Sequence, residues 1–361
     1  MQRIAGAYGN SNGDEYLRTT KCTHSNGSLK IDLFDGSSQS LQVPAKPSKI
    51  TLPSIPDEFR RNVSKSRAGG GAVNSRIAAE SVGVDLGNTN EIRYLDANRR
   101  DGLIESEVPP PVRCLNLRAC PRNYVLGNRE DKWIFRSPIE PAGPLGPPQF
   151  TDIAWLCEAQ TILVNSPKDQ EPVAAIVAQR GRRRFEVILM LTPSLPAEFL
   201  FHVALPAADV VIGAWDELQF LTGESPVTVG GAASTAMRLA RMAPRAEVHV
   251  TMGKRGVMSA AAGAAELVHV ELDSRAEVAI EAQEIARERP ARLCGAGDAF
   301  AAGVLVRRAF GRSLLSCPGT FRSHIDDALA GCASALRWIG VCSCLAAGAF
   351  VVRPLSEAAA A

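Results

Sequence analysis

No two of the nine cysteines form a C-x-x-C pair, and the five histidines do not gather beside them. Cys342 and Cys344 come closest, inside an apolar run. A zinc site is therefore not expected. A chain of 361 residues has enough core to do without a disulfide framework, so a reducing, cytoplasmic setting is expected. Long apolar runs are lacking too. The longest extends from Ile339 to Val352, short of the roughly 18 residues that a membrane span requires. Met1 to Gly6 lack the apolar core of a signal peptide. No charge of one sign dominates: the net charge is +2 and the pI about 8.1, too balanced for a nucleic-acid surface. The basic run Arg180 to Arg184 has no interleaved aromatic residues on which bases stack, and reads as a solvated loop. No fixed-period repeat is present.

What remains is a globular composition, 46% hydrophobic and 22% charged. Residues 1 to about 68 are polar. Within them Ser28 to Phe34 alternate apolar and polar residues, Asp35-Gly36 reads as a tight turn, and Ser40 to Val43 alternate again. This predicts a small sheet or flap. A helical pattern opened by three glycines follows from Ala72 to Val82. Asn123 to Gly127 and Trp133 to Phe135, joined by a turn at Asn128 to Asp131, give a second hairpin signal. Beyond residue 155 short apolar runs alternate with helical stretches, at Thr161–Val164, Val187–Leu191, Asp209–Ile212 and Glu247–Thr251. That alternation predicts a parallel sheet with crossover helices. Asp298–Phe310 and Ile325–Leu336 carry the periodicity of two further helices.

Four segments carry chemistry. Gly295-Ala296-Gly297-Asp298 heads a helix. Its glycines permit a tight turn with N–H groups facing one way, and the helix N-terminus adds about half a positive charge. Together they form an anion site suited to a phosphoryl group. Asp298 in the first turn is able to take the proton of a substrate hydroxyl. Taken alone, the four residues read equally well as an ordinary helix cap. Thr251-Met252-Gly253-Lys254-Arg255-Gly256 follow an apolar strand, where open α/β sheets bind ligands, though a plain hairpin turn has the same signature. Trp215 to Gly223 contain Asp216 and Glu217, carboxylates suited to magnesium through water, or else an acidic surface helix closed by a glycine. Gly69-Gly70-Gly71 let a ligand approach the backbone, and Asn74 offers donor and acceptor to a polyol. A flexible linker before a helix is the plainer reading.

These four segments, in this order, resemble the ribokinase-like (phosphofructokinase-B, PfkB) family of sugar and nucleoside kinases. GAGDAFAAG at Gly295 to Gly303 is the most specific element, where the family typically reads DTTGAGDAFxAG. RAGGGAVN resembles its substrate-side GG-x-x-x-N, VTMGKRGV its T-x-G-x-x-G nucleotide loop, and DELQFLTG the tail of its N-x-x-E…LTG motif. The resemblance runs from residue 69 to about 352 and is patchy before that. It implies a single domain over residues 1–361, a three-layer α/β/α sandwich with a central, mostly parallel sheet and a small β-sheet lid. The lid would span about 14–68 and 115–136, and the ATP-binding part about 205–352. Asp298 would be the base and Gly295, Ala296 and Gly297 the anion hole. Thr251, Gly253 and Gly256 would line the ATP site, and Glu217 would support magnesium. Gly70, Gly71, Asn74 and, by position, Asp14 would contact the substrate. A homodimer through the lid is implied by analogy.

Three departures stand out. The family's Asn before LTG falls on Ala214. Its G-x-D-x-x-G appears only as Gly83 to Gly87, one residue short. Its DTT is Arg292-Leu293-Cys294. Two readings therefore stand beside a sugar kinase: a nucleoside kinase, for which Tyr124, Trp133 and Phe135 offer a base slot, and a catalytically weak relative that binds sugar or nucleotide. Where the family's Asp often helps to bind a monovalent cation, Arg292 supplies a fixed positive charge. Kinase turnover is thus predicted to be the same in potassium and sodium buffers. A strong potassium requirement in a coupled ADP-release assay would contradict this.

Overall fold

The computed structural model describes residues 2–44, 49–82, 90–127, 132–223, 228–273, 295–311, 322–339 and 350–355. The expected G-x-D-x-x-G remnant at Gly83 to Gly87, the turn at Asn128 to Asp131, Arg292 to Cys294 and residues 340–349 of the long apolar run lie outside these.

A ten-stranded sheet runs through the middle of the chain. Seven neighbouring strands are parallel: β9 (Val112–Cys114), β8 (Asn90–Asp96), β1 (Arg3–Gly9), β12 (Thr161–Asn165), β13 (Glu186–Met190), β14 (Val210–Ala214) and β15 (Glu247–Thr251). Three antiparallel strands, β16 (Val257–Ala260), β17 (Leu267–Leu272) and β18 (Phe350–Leu355), complete the other edge. β12, β13 and β14 read as near-continuous apolar runs because both faces are covered. All five residues of β12 are buried.

Two cores flank this sheet, and alternate residues of the same strands enter each. Ile162 and Val164 pack with Ile153, Leu156, Ile176 and Ala236 of helices α2 (Pro147–Leu156), α3 (Gln170–Arg180) and α4 (Val229–Met242). Leu163, Ile188 and Ile212 pack on the opposite face with Ala78, Phe300, Leu305 and Ile325. These come from α1 (Gly71–Ser81), α5 (Ala296–Phe310) and α6 (Ser323–Ile339). The result is three layers, helix on sheet on helix.

α5 and α6 press closely because small residues line their contact. A Cβ on Gly303 would collide with the Ala330 carbonyl oxygen, and one on Gly331 would lie 2.5 Å from the Phe300 ring. At its C-terminal end α5 is tied down by charge. Arg307 and Arg308 reach Asp327 of α6 at 2.5 and 2.6 Å, and Arg308 also pairs with Glu247 at the start of β15. Asp327 is fully buried, and burial pushes its carboxyl up while the two guanidiniums favour its ionised form. This ion cluster lies at the opposite end of α5 from Asp298.

Two small sheets stand apart from the large one. Five strands form β6-β11-β10-β2-β7: Lys49–Thr51, Lys132–Arg136, Arg122–Gly127, Asn12–Leu17 and Val63–Gly69. β3 (Thr19–Ser25), β4 (Ser28–Leu33) and β5 (Ser38–Gln42) form the other. The alternating residues predicted at 28–43 and 123–135 form antiparallel pairs, β4 with β5 and β10 with β11. Leu29, Ile31 and Leu33 of the smaller sheet meet Tyr124, Trp133 and Phe135 of the larger in a core of their own, together with Phe59. The five-stranded sheet is joined to the main body by Arg122. Its guanidinium bridges Glu15 of β2 at 3.4 Å and Asp101 at 2.7 Å, the N-cap of a short helix, Gly102–Glu107, that follows β8.

Candidate active site at the C-terminal ends of the parallel strands

β1, β8, β12, β14 and β15 all end on the same side of the sheet, and polar residues lie at or just past the ends of β1, β8 and β12. Asn10 to Asn12 follow β1, Asn98 follows β8, and Ser166 follows Asn165 at the end of β12. In open parallel sheets this is the crevice in which ligands bind.

Asp298 projects from the first turn of α5 into this crevice. The turn before it is made by Gly295 in the left-handed conformation (φ 88°, ψ 3°). The N–H groups of the first turn have no carbonyl four residues behind them within the helix, so they face outward beside the positive end of the helix dipole. Asp298 Oδ2 accepts from Asn74 Nδ2 at 2.8 Å, and Oδ1 accepts from Asn165 Nδ2 at 3.0 Å. Ser75 Oγ donates to the Asp298 backbone carbonyl at 2.8 Å. The predicted substrate residue Asn74 and the predicted base thus stand in direct contact.

Three consecutive glycines carry the crevice towards β2. A Cβ on Gly69 would collide with Asp14 Oδ2, and one on Gly70 with the Asn10 carbonyl oxygen. One on Gly71 would lie 2.5 Å from Asn165 Oδ1. Only residues without a side chain let Asp14, the Asn10–Asn12 loop and Asn165 come this close to the backbone. Asp14 is held by Asn12 Nδ2 at 2.6 Å and by Asn123 Nδ2 of β10 at 3.0 Å. It shares a face of the five-stranded sheet with Asn123, opposite the face on which Tyr124 enters the apolar core.

Behind this polar row lies a support that sequence reasoning missed. Asp96, fully buried at the end of β8, accepts from the backbone N–H of Ser11 at 3.2 Å and of Asn98 at 2.9 Å. Asn98 Nδ2 donates to the Ser11 carbonyl at 2.7 Å, and the Lys168 N–H donates to Asn10 Oδ1 at 3.1 Å. Burial pushes the Asp96 carboxyl up against these donors. Each of these is a polar residue at or just past the tip of a strand. The only signal available to sequence reading was its position at a strand's C-terminal end.

On the other side of the α5 N-terminus is a cavity of about 330 Å³. It brings together Thr251, Gly253 and Gly256 with Ala296 and Gly297. Its walls are apolar, from Phe300, Cys332, Leu336 and Ile339. Gly256 has φ 85°, and a Cβ there would collide with the Val270 carbonyl oxygen. A flat apolar group with an anionic end fits this combination of wall and helix terminus.

Glu217 lies in the turn that follows β14. The turn is held beside the cavity through Trp215, whose N–H donates to the Thr251 carbonyl at 3.0 Å. Leu218 is buried under Gly213, which anchors the turn, and Gly223 closes the short helix Gln219–Thr222 with φ 68°. Glu217 is half-buried, and Ala214 leaves a methyl group where the family pattern has an amide.

No family model and no curated protein matches the sequence. Solved structures do match the fold. Anopheles gambiae adenosine kinase, in complex with P1,P4-di(adenosine-5) tetraphosphate, superposes with a TM-score of 0.64 at 15% identity, over 95% of this chain and 97% of that one. Arabidopsis thaliana ribokinase complexed with ribose and ATP gives 0.59 at 15% identity, over 93% and 92%. The tetrameric inhibited form of Escherichia coli phosphofructokinase-2 gives 0.57 at 14%, over 93% and 95%.

The glycine row gives a direct test of its geometry. Gly70 has φ 101° and ψ 148°, a region open essentially to glycine alone, and it abuts Asn10. Gly70→Ala is predicted to lower stability by about 1–3 kcal/mol in urea unfolding. Gly102→Ala is the control, because nothing lies within 4 Å of a Cβ there. It is predicted to be neutral or slightly stabilising.

Proposed function

We propose that this chain, whose fold is ribokinase-like, is an ATP-dependent kinase of the PfkB carbohydrate-kinase family that phosphorylates a hydroxyl of a sugar or sugar-like small molecule. One observation carries the reading. The Asp298 carboxylate stands between a polar cradle and a helix N-terminus that opens into an apolar cavity.

In this reading the acceptor lies in the cradle, with Gly70, Gly71, Asn74 and Asp14 against it. Asp14 and the amides around it offer the acceptors and donors that successive sugar hydroxyls need. Its reactive hydroxyl faces Asp298. ATP lies on the other side, with the adenine in the apolar cavity beside Thr251, Gly253 and Gly256. Its terminal phosphoryl group sits at the N–H groups of Gly295, Ala296 and Gly297. Asp298 takes the hydroxyl proton as the oxygen attacks phosphorus. The bond from phosphorus to the β-phosphate oxygen breaks, and ADP leaves. The helix N-terminus stabilises charge on the transferring group. Magnesium suits the hard oxygen donors here, with Glu217 as its support through water. When bound it neutralises phosphate charge.

The burial of the aromatic residues favours a sugar over a nucleoside. Tyr124, Trp133 and Phe135 lie in the core between the two small sheets, Trp133 at 1% exposure and Phe135 at 0%. They are spent on holding that structure together and do not offer the crevice a base-stacking surface. The five-stranded sheet acts as the lid. Its apolar face is covered by the chain's own β3–β5 sheet, so a homodimer through that face would have to displace the chain's own core. Among the described residues no helix is long and apolar enough to cross a membrane.

The experiment is an ADP-release screen over sugars, sugar acids and nucleosides with magnesium, followed by Asp298→Asn on the best acceptor. Turnover is predicted to fall by about 100-fold or more, the range of a lost general base, with ATP affinity retained. Unchanged turnover in Asp298→Asn would refute the mechanism.

A further inference from the structure

Asn165 is fully buried at the C-terminal end of β12, and nothing in its sequence context marks it. All of its side-chain hydrogen-bonding groups are nevertheless engaged. Its Nδ2 donates to Asp298 Oδ1 at 3.0 Å and to Ser75 Oγ at 2.9 Å. Its Oδ1 accepts from Ser166 Oγ at 2.8 Å. The reverse amide orientation would turn the carbonyl oxygen onto the Asp298 carboxylate, so the network allows one orientation. Ser75 Oγ receives the second amide hydrogen and passes its own to the Asp298 backbone carbonyl at 2.8 Å. The same amide thus holds Asp298 by side chain and, through Ser75, by main chain. Space for it is made by Gly71, whose Cβ would press on both Asn165 Oδ1 and Ser166 Oγ.

We infer that Asn165 is the positioning residue of the base, and that Ser166 positions Asn165 in turn. This rests on the reading of Asp298 as the base. Asn74 also donates to Asp298, but α1 carries it in the predicted substrate segment, where the acceptor competes for it. Asn165 belongs to the central strand and stays in place when substrate arrives. It turns one carboxylate oxygen towards the sheet and leaves the other directed at the acceptor's side of the crevice. An amide in this place serves better than a carboxylate, because a second acidic group 3.0 Å from Asp298 would repel it.

The test compares Asn165→Asp, Asn165→Ala and Ser166→Ala with the wild type and Asp298→Asn. It reads ADP release with magnesium-ATP and ribose, fructose or adenosine as probe acceptors, and slow ATP hydrolysis with water as acceptor. Asn165→Asp keeps the size and loses the donor. It is expected to lower kcat by about 100-fold or more, as misplaced catalytic groups do, and further than Asn165→Ala, while the KM for ATP stays the same. A packing role predicts the opposite order, with the near-isosteric Asp milder than Ala. Ser166→Ala removes only the bond that sets the amide's orientation, and is expected to lower kcat about three- to tenfold. It keeps the test open should an Asn165 variant fail to fold in a thermal melt. Turnover that is lost in Asp298→Asn but kept in all three other variants overturns this inference alone. An absence of ATP turnover in the wild type overturns the kinase reading, and this inference with it.

Discussion

One carboxylate, held by amides at the N-terminus of a helix, is the constraint on which the rest of the structure turns. Asp298 accepts from Asn74 of α1 and Asn165 of β12, so three elements far apart in sequence converge on one group. Each element is fixed independently. β12 lies inside the parallel sheet with every residue buried. α1 is set close against the sheet by its opening glycines. α5 is packed on α6 through Gly303 and Gly331, and its far end is anchored by the Arg307, Arg308 and Asp327 cluster. Burying Asp327 with two arginines is a poor way to gain stability. It does restrict how α5 can shift or rotate, and therefore where Asp298 points.

The crevice around this group is divided by chemistry. On the side of the small sheets the residues are amides, carboxylates and hydroxyls, supported by a buried acid, Asp96, that accepts from main-chain N–H groups. On the side of α6 the walls are mostly apolar, and the polar features are Thr251, Lys254, the glycine turns and a helix terminus. In the proposed reading a polyol occupies the first side and a nucleotide the second. The α5 N-terminus lies between the two sides, and there the proposal sets both the N–H groups for the phosphoryl group and Asp298 as the base. Rotating α5 by one residue would separate the two functions, which is why the Gly295 turn matters as much as the acid that follows it.

Much of this could be read in the sequence, for identifiable reasons. The parallel strands β12 to β15 were visible as short apolar runs, while β1, β8 and β9 were not. Residues 1 to about 68 read as a polar flap, yet β1 lies between β12 and β8 in the main sheet. β8 carries Asn90, Glu91 and Arg93 among its apolar residues. The hairpins at 28–43 and 123–135 were visible because one face of each is wet. The Gly295–Asp298 and Gly69–Asn74 segments stood out because close backbone approach requires glycine, and glycine is conspicuous. Asn10, Asp96, Asn98 and Asn165 were not legible. Each is a short polar side chain at or just past the end of a strand, the commonest place for one, and only sheet order brings them together. The meaning of Tyr124, Trp133 and Phe135 was also hidden. Aromatic residues near a binding segment read as a stacking slot, and the pairing of two small sheets turns them instead into a core. Asp14 was placed only by its distance from β1, and the register of β2 with β10 and β7 sets it beside Asn123 and Gly69.

The central claim is that phosphoryl transfer takes place across the α5 N-terminus, from the apolar cavity to the polar cradle. A crystal structure with a non-hydrolysable ATP analogue and magnesium tests it most directly. The account predicts the adenine against Phe300 and Leu336, and the terminal phosphate at the N–H groups of Ala296 and Gly297, facing Asp298. A nucleotide bound elsewhere, or one in the cavity with its phosphates directed away from Asp298, would contradict it.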